Sequence, residues 1–507
     1  MPIKNTNSNG EKANEDSTKA SSPALPEQTI AEILGQWRTN QGILYRDLRS
    51  ALVCAIDRGD LPRGSKIPSE RVLSELLEIS RGTVASAMED LRKSGHIESR
   101  RGSGSLVSKS ILPTDRHQDA ILSNPFLSSS PLSSQEMIWF TLAKMPASDE
   151  TRQAIQSSLI SADLDMLLAT HGYATVGIPS LREAVAKHYS DWGYPTSEEE
   201  ILITSGAQQG ISLVMADIVS TGGPVVIEDP SYSGAVDFLQ SNGVAPIPLR
   251  FEPGGRHFKQ IRPLLAQKEG GLVYLVTSFH NPTGGILSEK SRVTISDAIK
   301  STKSLLVEDS SLSHVTLDTP PPLPVSATMG YSNSVVIDSI SKVFWGGLRV
   351  GWVRSNTDII RRLSRLKSVQ DLGTPILSQV VGTSLLPRLP EAGLSLGERL
   401  RPKLEFLTNL IDEHLPEWTY VQPDGGLCLW ITIPLGEAEK FAELAMLHGV
   451  AVVPGNIFSA TAGQPRGLRI PFVLDNESIQ EGVLRLTKAW KEYKSIVRHP
   501  SRLNVVV

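Results

Sequence analysis

The chain has 507 residues, which is too many for one ordinary domain, and this length predicts two to four domains that each bury a core. A net charge of −4 with 21% charged residues is typical of a globular protein. The net charge does not indicate nucleic-acid binding, which would need a local basic patch. The two cysteines, Cys54 and Cys428, exclude a disulfide framework and a cysteine metal site, and no apolar run is long enough to span a membrane. We therefore expect a cytoplasmic protein that binds no metal and no membrane.

Composition divides the chain into four parts. Residues 1–27 are polar, with very few large apolar side chains, and are predicted to be a disordered tail. Residues 28–108 show helical periodicity, and residues 109–135 are rich in Ser and Pro, as in a flexible linker. Residues 136–507 alternate short apolar runs with segments long enough for a helix. The chain is thus predicted to join a small module to a large one.

The small module has the pattern of a helix-turn-helix. Apolar residues at helical spacing predict a first helix over residues 43–58. Ser69 and Ser80 are favourable N-cap residues and predict two further helices, the last running from Arg81 to about Ser94. When two such helices are joined by a tight turn, the second presents its first residues to DNA base edges.

The sequence HIESRRGSGSLVS follows the third helix and predicts a wing. Two short extended runs flank residues 101–104, whose glycines allow a hairpin with close backbone approach to another surface. The whole stretch from LYRDLRSALV to RRGSGSLV resembles the winged helix-turn-helix of GntR-type bacterial transcription regulators. This resemblance implies double-stranded DNA as a partner, contacted by Arg71, Arg81, Thr83, Arg101, Gly102 and Gly104.

Five apolar runs in the large module predict the buried strands of a mostly parallel β-sheet, because helix-length segments separate them. The runs are residues 201–203, 225–227, 272–276, 305–307 and 334–337. Ligands of such sheets bind at the carboxyl ends of the strands. The residues directly after each run are therefore the candidates for a site.

The first three runs are followed by residues suited to hold a phosphorylated aromatic ring. Gly206, Ala207 and Gln208 form a small-residue turn that opens a helix, where free N–H groups attract a phosphate. Tyr232 follows the second run and can stack on a flat ring. Asn281 follows the third run in the turn NPTG. Each feature alone has an ordinary structural explanation, and only the set points to a ligand.

The last two runs add a buried acid, an amine and an arginine. Asp309 follows the fourth run, and Ser339, Lys342 and Arg349 follow the fifth in DSISKVFWGGLRVGW. The complete set fits pyridoxal 5′-phosphate. Lys342 would bond covalently to the aldehyde, and Asp309 would pair with the ring nitrogen. Asn281 would bond the phenolic oxygen, while Arg349, Ser339 and the turn at Gly206 would hold the phosphate.

The large module also resembles the fold-type I aminotransferases. The matching motifs are GYATVGIPSLREAV, ITSGAQQGI, EDPSY, NPTGG, VED, SISK with the following LRVGW, PDGGLCLW and LRIPF. The resemblance implies an α/β fold with a mostly parallel sheet and a smaller C-terminal α+β subdomain, and it implies a homodimer. It assigns Arg469 to an amino-acid carboxylate and Tyr173 to the partner subunit's site. Ser311 stands where related regulators have a tyrosine, and the segment MIWFTLAKMPASDE matches only loosely.

Together the two modules resemble the MocR group of bacterial regulators over roughly residues 28–490. The resemblance implies a head-to-tail homodimeric transcription regulator that senses pyridoxal phosphate or an amino compound able to displace Lys342. One alternative is an aminotransferase with an appended DNA-binding module. Another is a regulator whose large module has lost the cofactor and serves only for dimerisation.

Overall fold

The computed structural model describes residues 30, 33–34, 37, 44–57, 61, 65–93, 97–100, 104–107, 137–161, 168–220, 222–251, 256, 258–266, 271–318, 320–329, 333–461 and 463–498. The predicted tail (1–27), the predicted linker (109–135) and the wing residues Arg101 and Gly102 lie outside the described residues. The chain divides into two compact units, Met1–Ile121 and Leu122–Val507, which have separate hydrophobic cores.

The first unit consists of helices and a three-stranded antiparallel sheet. Its elements are α1 (Leu44–Asp57), β1 (Lys66–Ile67), α2 (Glu70–Leu76), α3 (Arg81–Lys93), β2 (Ile97–Arg100) and β3 (Gly104–Val107). Strand β3 lies between β1 and β2 in the sheet. The predicted three helices and the two extended runs of the wing are confirmed.

Helices α2 and α3 begin at the predicted serines. The Ser69 hydroxyl accepts a hydrogen bond from the Val72 N–H at 3.4 Å, and the Ser80 hydroxyl accepts one from the Thr83 N–H at 3.1 Å. Each serine satisfies a backbone N–H that has no partner inside the helix. Arg92 near the end of α3 donates to Glu70 at the start of α2 over 2.7 Å. This ion pair helps to fix the angle between the two helices.

The second unit contains a large and a small sheet with helices around them. Its strands are β4 (Ile138–Phe140), β5 (Ile201–Thr204), β6 (Val225–Asp229), β7 (Ile247–Arg250), β8 (Leu272–Leu275), β9 (Leu305–Asp309), β10 (Ser334–Ser339), β11 (Gly351–Ser355), β12 (Thr419–Val421), β13 (Cys428–Thr432), β14 (Val450–Pro454) and β15 (Gly467–Pro471). Its helices are α4 (Asp149–Ser161), α5 (Pro179–Asp191), α6 (Ala207–Val219), α7 (Ser233–Ser241), α8 (Ile261–Ala266), α9 (Glu289–Thr302), α10 (Val325–Met329), α11 (Thr357–Gln370), α12 (Ile376–Leu385), α13 (Leu389–His414), α14 (Ala438–Leu447) and α15 (Asn476–Arg498).

The large sheet has seven strands in the order β5-β11-β10-β9-β8-β6-β7. All five predicted runs are strands of this sheet, and the pairs among β10, β9, β8, β6 and β7 are parallel. Strand β11 is antiparallel to both of its neighbours and was not predicted. Its sequence GWVRS begins with Gly and ends in Arg and Ser, so it lacks the continuous apolar run of a buried strand.

The small sheet belongs to the C-terminal part and has the order β12-β13-β15-β14-β4. Strand β4 joins it from the other end of the unit by parallel pairing with β14. This pairing brings the segment that follows Phe140 to the edge of the predicted site. The sequence did not predict it, because that segment matches the aminotransferase pattern only loosely.

Apolar side chains cover both faces of the large sheet. Val335 and Ile337 of β10 pack in one buried cluster and Val336 packs in another, because side chains alternate along a strand. Within the described residues, no helix has both the length and the apolar character needed to cross a membrane.

Candidate functional site

One cavity of about 1340 Å³ in the second unit collects the residues that follow the strands of the large sheet. Most of the predicted site residues line it, namely Ala207, Gln208, Tyr232, Asn281, Asp309, Ser339, Lys342, Arg349 and Arg469. The cavity lies where ligands bind in open α/β sheets. Residues separated by more than 250 positions in sequence therefore meet at one place.

The turn between β5 and α6 has a backbone conformation that favours glycine. Gly206 has φ +85° and precedes the first residue of α6, so the N–H groups of the helix start are directed out of the turn. The Arg349 guanidinium donates to the Ser205 carbonyl and lies against Gly206. A cation and a helix N-terminus are thus adjacent, which is an arrangement suited to an anion.

Tyr232 and Gln208 support each other in the wall of the cavity. The Tyr232 hydroxyl donates to Gln208 Oε1 at 2.8 Å, and Gln208 Nε2 donates to the Gly234 carbonyl at 3.2 Å. Burial raises the pKa of the Tyr232 hydroxyl, and the nearby Asp309 charge acts in the same direction. The ring therefore remains neutral, as a stacking surface requires.

Asn281 lies half-buried in a tightly bonded turn. The N–H of the preceding His280 donates to the Gly285 carbonyl at 2.9 Å, and the imidazole Nδ1 of His280 is 2.9 Å from the Thr283 hydroxyl. These bonds fix the turn that carries the Asn281 amide into the cavity wall.

Asp309 ends strand β9 and is almost fully buried, with 3% of its surface exposed. The Tyr274 hydroxyl donates to its Oδ2 at 2.6 Å, and the Ser311 N–H donates to its Oδ1 at 3.0 Å. Both carboxylate oxygens thus have a donor, which a buried carboxylate needs. Each oxygen can still accept a further hydrogen bond from a ligand in the cavity.

Ser339 ends β10 and caps a short 3₁₀ helix, Ile340–Lys342, whose last residue is Lys342. The Ser339 hydroxyl donates to the Val350 carbonyl at 2.8 Å and accepts from the Ser341 N–H at 3.1 Å. Lys342 directs its amine into the cavity, where Nζ is 3.3 Å from the Ala143 carbonyl.

Burial lowers the pKa of the Lys342 amine to about 8. The cations of Arg469 and Lys144 act in the same direction, while Cys428 and Asp309 raise the pKa. A lysine with this pKa has a far larger neutral fraction near pH 7 than an ordinary lysine, and the neutral amine is the nucleophile.

Arg469 projects from β15 and is buried, with 5% of its surface exposed. Its Nη2 donates to the Thr141 carbonyl at 2.6 Å, and its guanidinium lies 4.9 Å from the centre of the Phe458 ring. The Nε of Arg469 is buried without a hydrogen-bond partner among the described residues. A buried cation with an unused donor is suited to a carboxylate ligand.

Sequence reasoning missed several parts of the site. The segment from Thr141 to Ser148 lines the cavity beside Lys342, and only the pairing of β4 with β14 brings it there. Cys428 is buried and also lines the cavity, where burial raises the pKa of its thiol. The side chain of Cys54 lies outside the described part. Tyr274 gave no sequence signal, because it lies inside an apolar strand.

Three of the predicted DNA-contacting residues, Arg71, Arg81 and Thr83, lie near the starts of α2 and α3. Arg71 and Arg81 are exposed, and Arg71 Nε is 3.7 Å from Glu75 Oε1. Thr83 is half-buried and its hydroxyl lies 2.8 Å from the Ser80 hydroxyl. Gly104 begins β3, where it pairs with Arg100 of β2.

Tyr173 does not line the cavity of its own chain. It is 65% exposed and stacks on His171, with ring centroids 5.9 Å apart. Two residues further on, the Thr175 hydroxyl donates to the Leu372 carbonyl at 3.0 Å. The segment that contains Tyr173 therefore lies beside the exposed residues that follow α11.

Two family models match the chain. Residues 144–486 match the family described as aminotransferase class I and II. Residues 44–107 match the family described as bacterial regulatory proteins, gntR family. The first match covers the cavity and the second covers the winged helix.

Individual proteins with similar sequences or structures include both regulators and aminotransferases. An uncharacterized HTH-type transcriptional regulator, YdfD of Bacillus subtilis, is 27% identical over 89% of this chain and 97% of the relative. The 2-aminoadipate transaminase of Thermus thermophilus is 31% identical over 64% of this chain and 82% of the relative. The structure of LysN, an alpha-aminoadipate aminotransferase of Thermus thermophilus complexed with N-(5′-phosphopyridoxyl)-L-leucine, aligns with a TM-score of 0.64 and 28% identity over 72% of this chain and 94% of that chain.

Proposed function

Because the chain belongs to the class I and II aminotransferases and joins that domain to a GntR-family winged helix, as MocR-type regulators do, we propose that it is a pyridoxal-phosphate-dependent transcription regulator. The observation that carries this proposal is the presence of both modules in one chain that aligns along 89% of its length with a regulator. The large domain would sense the cofactor or an amino compound, and the winged helix would respond on DNA.

The GntR-family domain binds DNA, and its exposed helix starts are the proposed contact surface. Arg81 and Thr83 lie at the start of α3, the helix proposed to enter the major groove, and Arg71 lies near the start of α2. Arg101, Gly102 and Gly104 are proposed to contact DNA from the wing. Arginine guanidinium groups donate to guanine edges and to phosphates, whereas glycines allow the protein backbone to approach the DNA closely.

The cofactor of this aminotransferase family is pyridoxal 5′-phosphate, and the residues of the cavity fit it. Pyridoxal phosphate supplies an aldehyde that bonds covalently to amines and a ring that withdraws electrons. Lys342 would hold the aldehyde, since its amine is the nucleophile of the cavity and its pKa is lowered to about 8 by burial. Asp309 would accept from the ring nitrogen, and Asn281 would donate to the phenolic oxygen.

The opposite end of the cofactor carries a phosphate, and one edge of the cavity is suited to it. The N–H groups at Ala207 and Gln208 and the Arg349 guanidinium are the proposed donors. The Ser339 hydroxyl would join them by turning its proton from the Val350 carbonyl to the phosphate. Gly206 would let the backbone approach the phosphate closely. Tyr232 would stack on the ring and keep water from that face.

Arg469 is proposed to hold the carboxylate of an amino acid or related compound. Its buried Nε donor and the neighbouring Lys342 place an anion site beside the amine site. An amino acid bound there would present its amino group to the position that Lys342 otherwise occupies. A ligand that favours one arrangement of the large domain over another can then shift the population that binds DNA.

We further propose a head-to-tail homodimer in the cytoplasm. Apolar residues at the end of α11 and in the Tyr173 segment are unusually exposed, among them Val369 at 88%, Leu168 at 78% and Leu372 at 51%. Exposed apolar clusters of this kind mark protein interfaces. Tyr173 would then reach the cavity of the partner subunit.

The alternative of an aminotransferase with an appended DNA-binding module is favoured by one observation. The proposed amine, acid, amide and carboxylate-binding residues all line one cavity in a chain that is 31% identical to a transaminase. A regulator that only senses the cofactor does not need all four. Transfer of amino groups is therefore retained as a second candidate activity.

One pair of assays separates the two functions. The full-length protein is loaded with pyridoxal phosphate and given a panel of amino acids with a 2-oxo acid, and product formation is followed over many equivalents of protein. In parallel, its affinity for the DNA upstream of its own coding sequence is measured with and without the cofactor. A regulator changes its DNA affinity and forms at most one equivalent of product. Sustained turnover without any change in DNA affinity would contradict the proposal.

A further inference from the structure

Tyr274 and Asp309 form a short hydrogen bond inside the large sheet. Tyr274 lies on β8 opposite Val307 of β9, and Asp309 lies two residues further along on the same face of β9. The distance from the Tyr274 hydroxyl to Asp309 Oδ2 is 2.6 Å. Tyr274 is fully buried, whereas Asp309 reaches the cavity. The tyrosine therefore acts on the side of the carboxylate that faces the protein interior.

Asp309 shares its buried region of the large sheet with two other acids. Asp338 is 1% exposed and Glu228 is fully buried, and both interact electrostatically with Asp309. Burial raises the pKa of both neighbouring carboxyl groups. A buried carboxylate needs hydrogen-bond donors or a cation beside it. Glu228 accepts from the Arg256 guanidinium, whereas Asp309 accepts from the Tyr274 hydroxyl and the Ser311 N–H.

The packing of the Tyr274 ring does not depend on its hydroxyl group, because a phenylalanine ring would fill the same space. Its ring packs in an apolar cluster together with Ile227 and Val307. A hydroxyl group in such a cluster costs free energy unless it is bonded. The bond to Asp309 is what offsets that cost here.

We propose that Tyr274 is a positioning residue for the cofactor ring: its hydroxyl donates to the Asp309 carboxylate and so favours the shared proton on the ring nitrogen. This inference rests on the proposed binding of pyridoxal phosphate with Asp309 at that nitrogen. The proton between the two groups lies either on the nitrogen, giving an ion pair, or on Asp309, giving a neutral pair. A hydrogen bond to the carboxylate favours the ion pair.

The test is ¹⁵N solid-state NMR of pyridoxal phosphate labelled at the ring nitrogen and bound to the full-length protein. The signal is the average of the protonated and unprotonated nitrogen, so it reports where the proton lies without measuring any activity. In Tyr274→Phe, the ratio of the ion pair to the neutral pair should fall about tenfold or more, because one donor to a charged group is lost. Tyr189→Phe is the matched control, since Tyr189 is also fully buried but its hydroxyl accepts from Trp352 Nε1 at 3.0 Å.

A graded series decides the question even if Tyr274→Phe fails to fold. Replacing Tyr274 with 4-aminophenylalanine keeps a weaker donor, and 3-fluorotyrosine supplies a stronger one. We expect the ¹⁵N signal of the ring nitrogen to show more of the protonated form as the donor at position 274 becomes stronger, in every variant that folds. The signal should stay unchanged in Tyr189→Phe. An equal signal throughout the Tyr274 series overturns the proposal while leaving cofactor binding intact. A native protein that retains no labelled cofactor overturns both this inference and the proposed function.

Discussion

The guanidinium of Arg349 lies so close to Gly206 that a Cβ atom on residue 206 would be 2.9 Å from Arg349 Nη2. Arg349 itself has φ 52°, a left-handed conformation that is uncommon for a residue with a side chain. The two residues come from different strand ends and together form the proposed phosphate end of the cavity. A side chain at position 206 would therefore displace the Arg349 guanidinium from its present position.

Gly206→Ala should therefore weaken pyridoxal phosphate binding by displacing Arg349. Gly222→Ala is a matched control, because Gly222 also has a positive φ of +71° but a Cβ there would meet nothing within 4 Å. Both variants should lose roughly 1–2 kcal/mol of stability from the left-handed backbone. Only Gly206→Ala should lose cofactor affinity, measured by absorbance titration. Equal affinities in the two variants would argue against a phosphate at this turn.

The lowered pKa of Lys342 predicts how covalent attachment of the cofactor depends on pH. Attachment needs the neutral amine, whose fraction rises about tenfold per pH unit below the pKa and levels off above it. Since burial lowers the pKa of Lys342 to about 8, the initial rate should rise up to about pH 8 and then flatten. Stopped-flow absorbance at several pH values measures this rate. A rate that continues to rise towards pH 10 would mean that the amine is an ordinary, solvated lysine.

Arg469→Lys should separate the amino-acid response from cofactor binding. Lysine keeps the positive charge but cannot bind a carboxylate with two parallel donors. Because its side chain is also shorter, its ammonium group would lie further from the bound carboxylate. The affinity for an amino-acid ligand should fall roughly tenfold to a hundredfold, while pyridoxal phosphate binding changes little. Spectral titration of the loaded protein measures both. Arg466→Lys serves as a control, because Arg466 is exposed and lies outside the cavity lining.

Arg81→Ala should reduce the affinity for the operator more than the affinity for unrelated DNA. An arginine that contacts a base edge contributes roughly 1–3 kcal/mol of sequence discrimination, whereas one that contacts only phosphate weakens all DNA alike. Fluorescence anisotropy on both DNAs at several salt concentrations distinguishes the two roles. Arg361→Ala is the control, since Arg361 is an exposed arginine of the large domain paired with Asp358 at 3.1 Å. No loss on either DNA would remove Arg81 from the interface.

The sequence predicted those parts of the fold and site that depend on local patterns. Helical spacing and serine caps located the helices of the winged helix, and apolar runs located five strands of the large sheet. The residues after those runs could be chosen as a site because parallel strands bring their carboxyl ends to one edge. Lys342 and Asp309 were predicted in this way, and both line the cavity.

The missed parts depend on contacts between distant segments. Strand β11 lacks an apolar run and is held by pairing on both sides, so its own residues do not reveal it. The segment after β4 reaches Lys342 only because β4 pairs with β14, more than 300 residues away. Tyr274 resembles any buried strand residue until the neighbouring strand places Asp309 beside its hydroxyl. Long-range pairing of this kind leaves no periodic trace in one sequence.

Control of DNA binding by the cofactor is tested most simply by a DNase footprint of the full-length protein on the DNA upstream of its own coding sequence, with and without pyridoxal phosphate. Lys342→Ala is included, since it removes the proposed attachment point and leaves the winged helix unchanged. We expect a protected site whose extent or affinity changes with the cofactor in the native protein and does not change in the variant. A footprint that is the same under all four conditions would contradict a regulator controlled through Lys342.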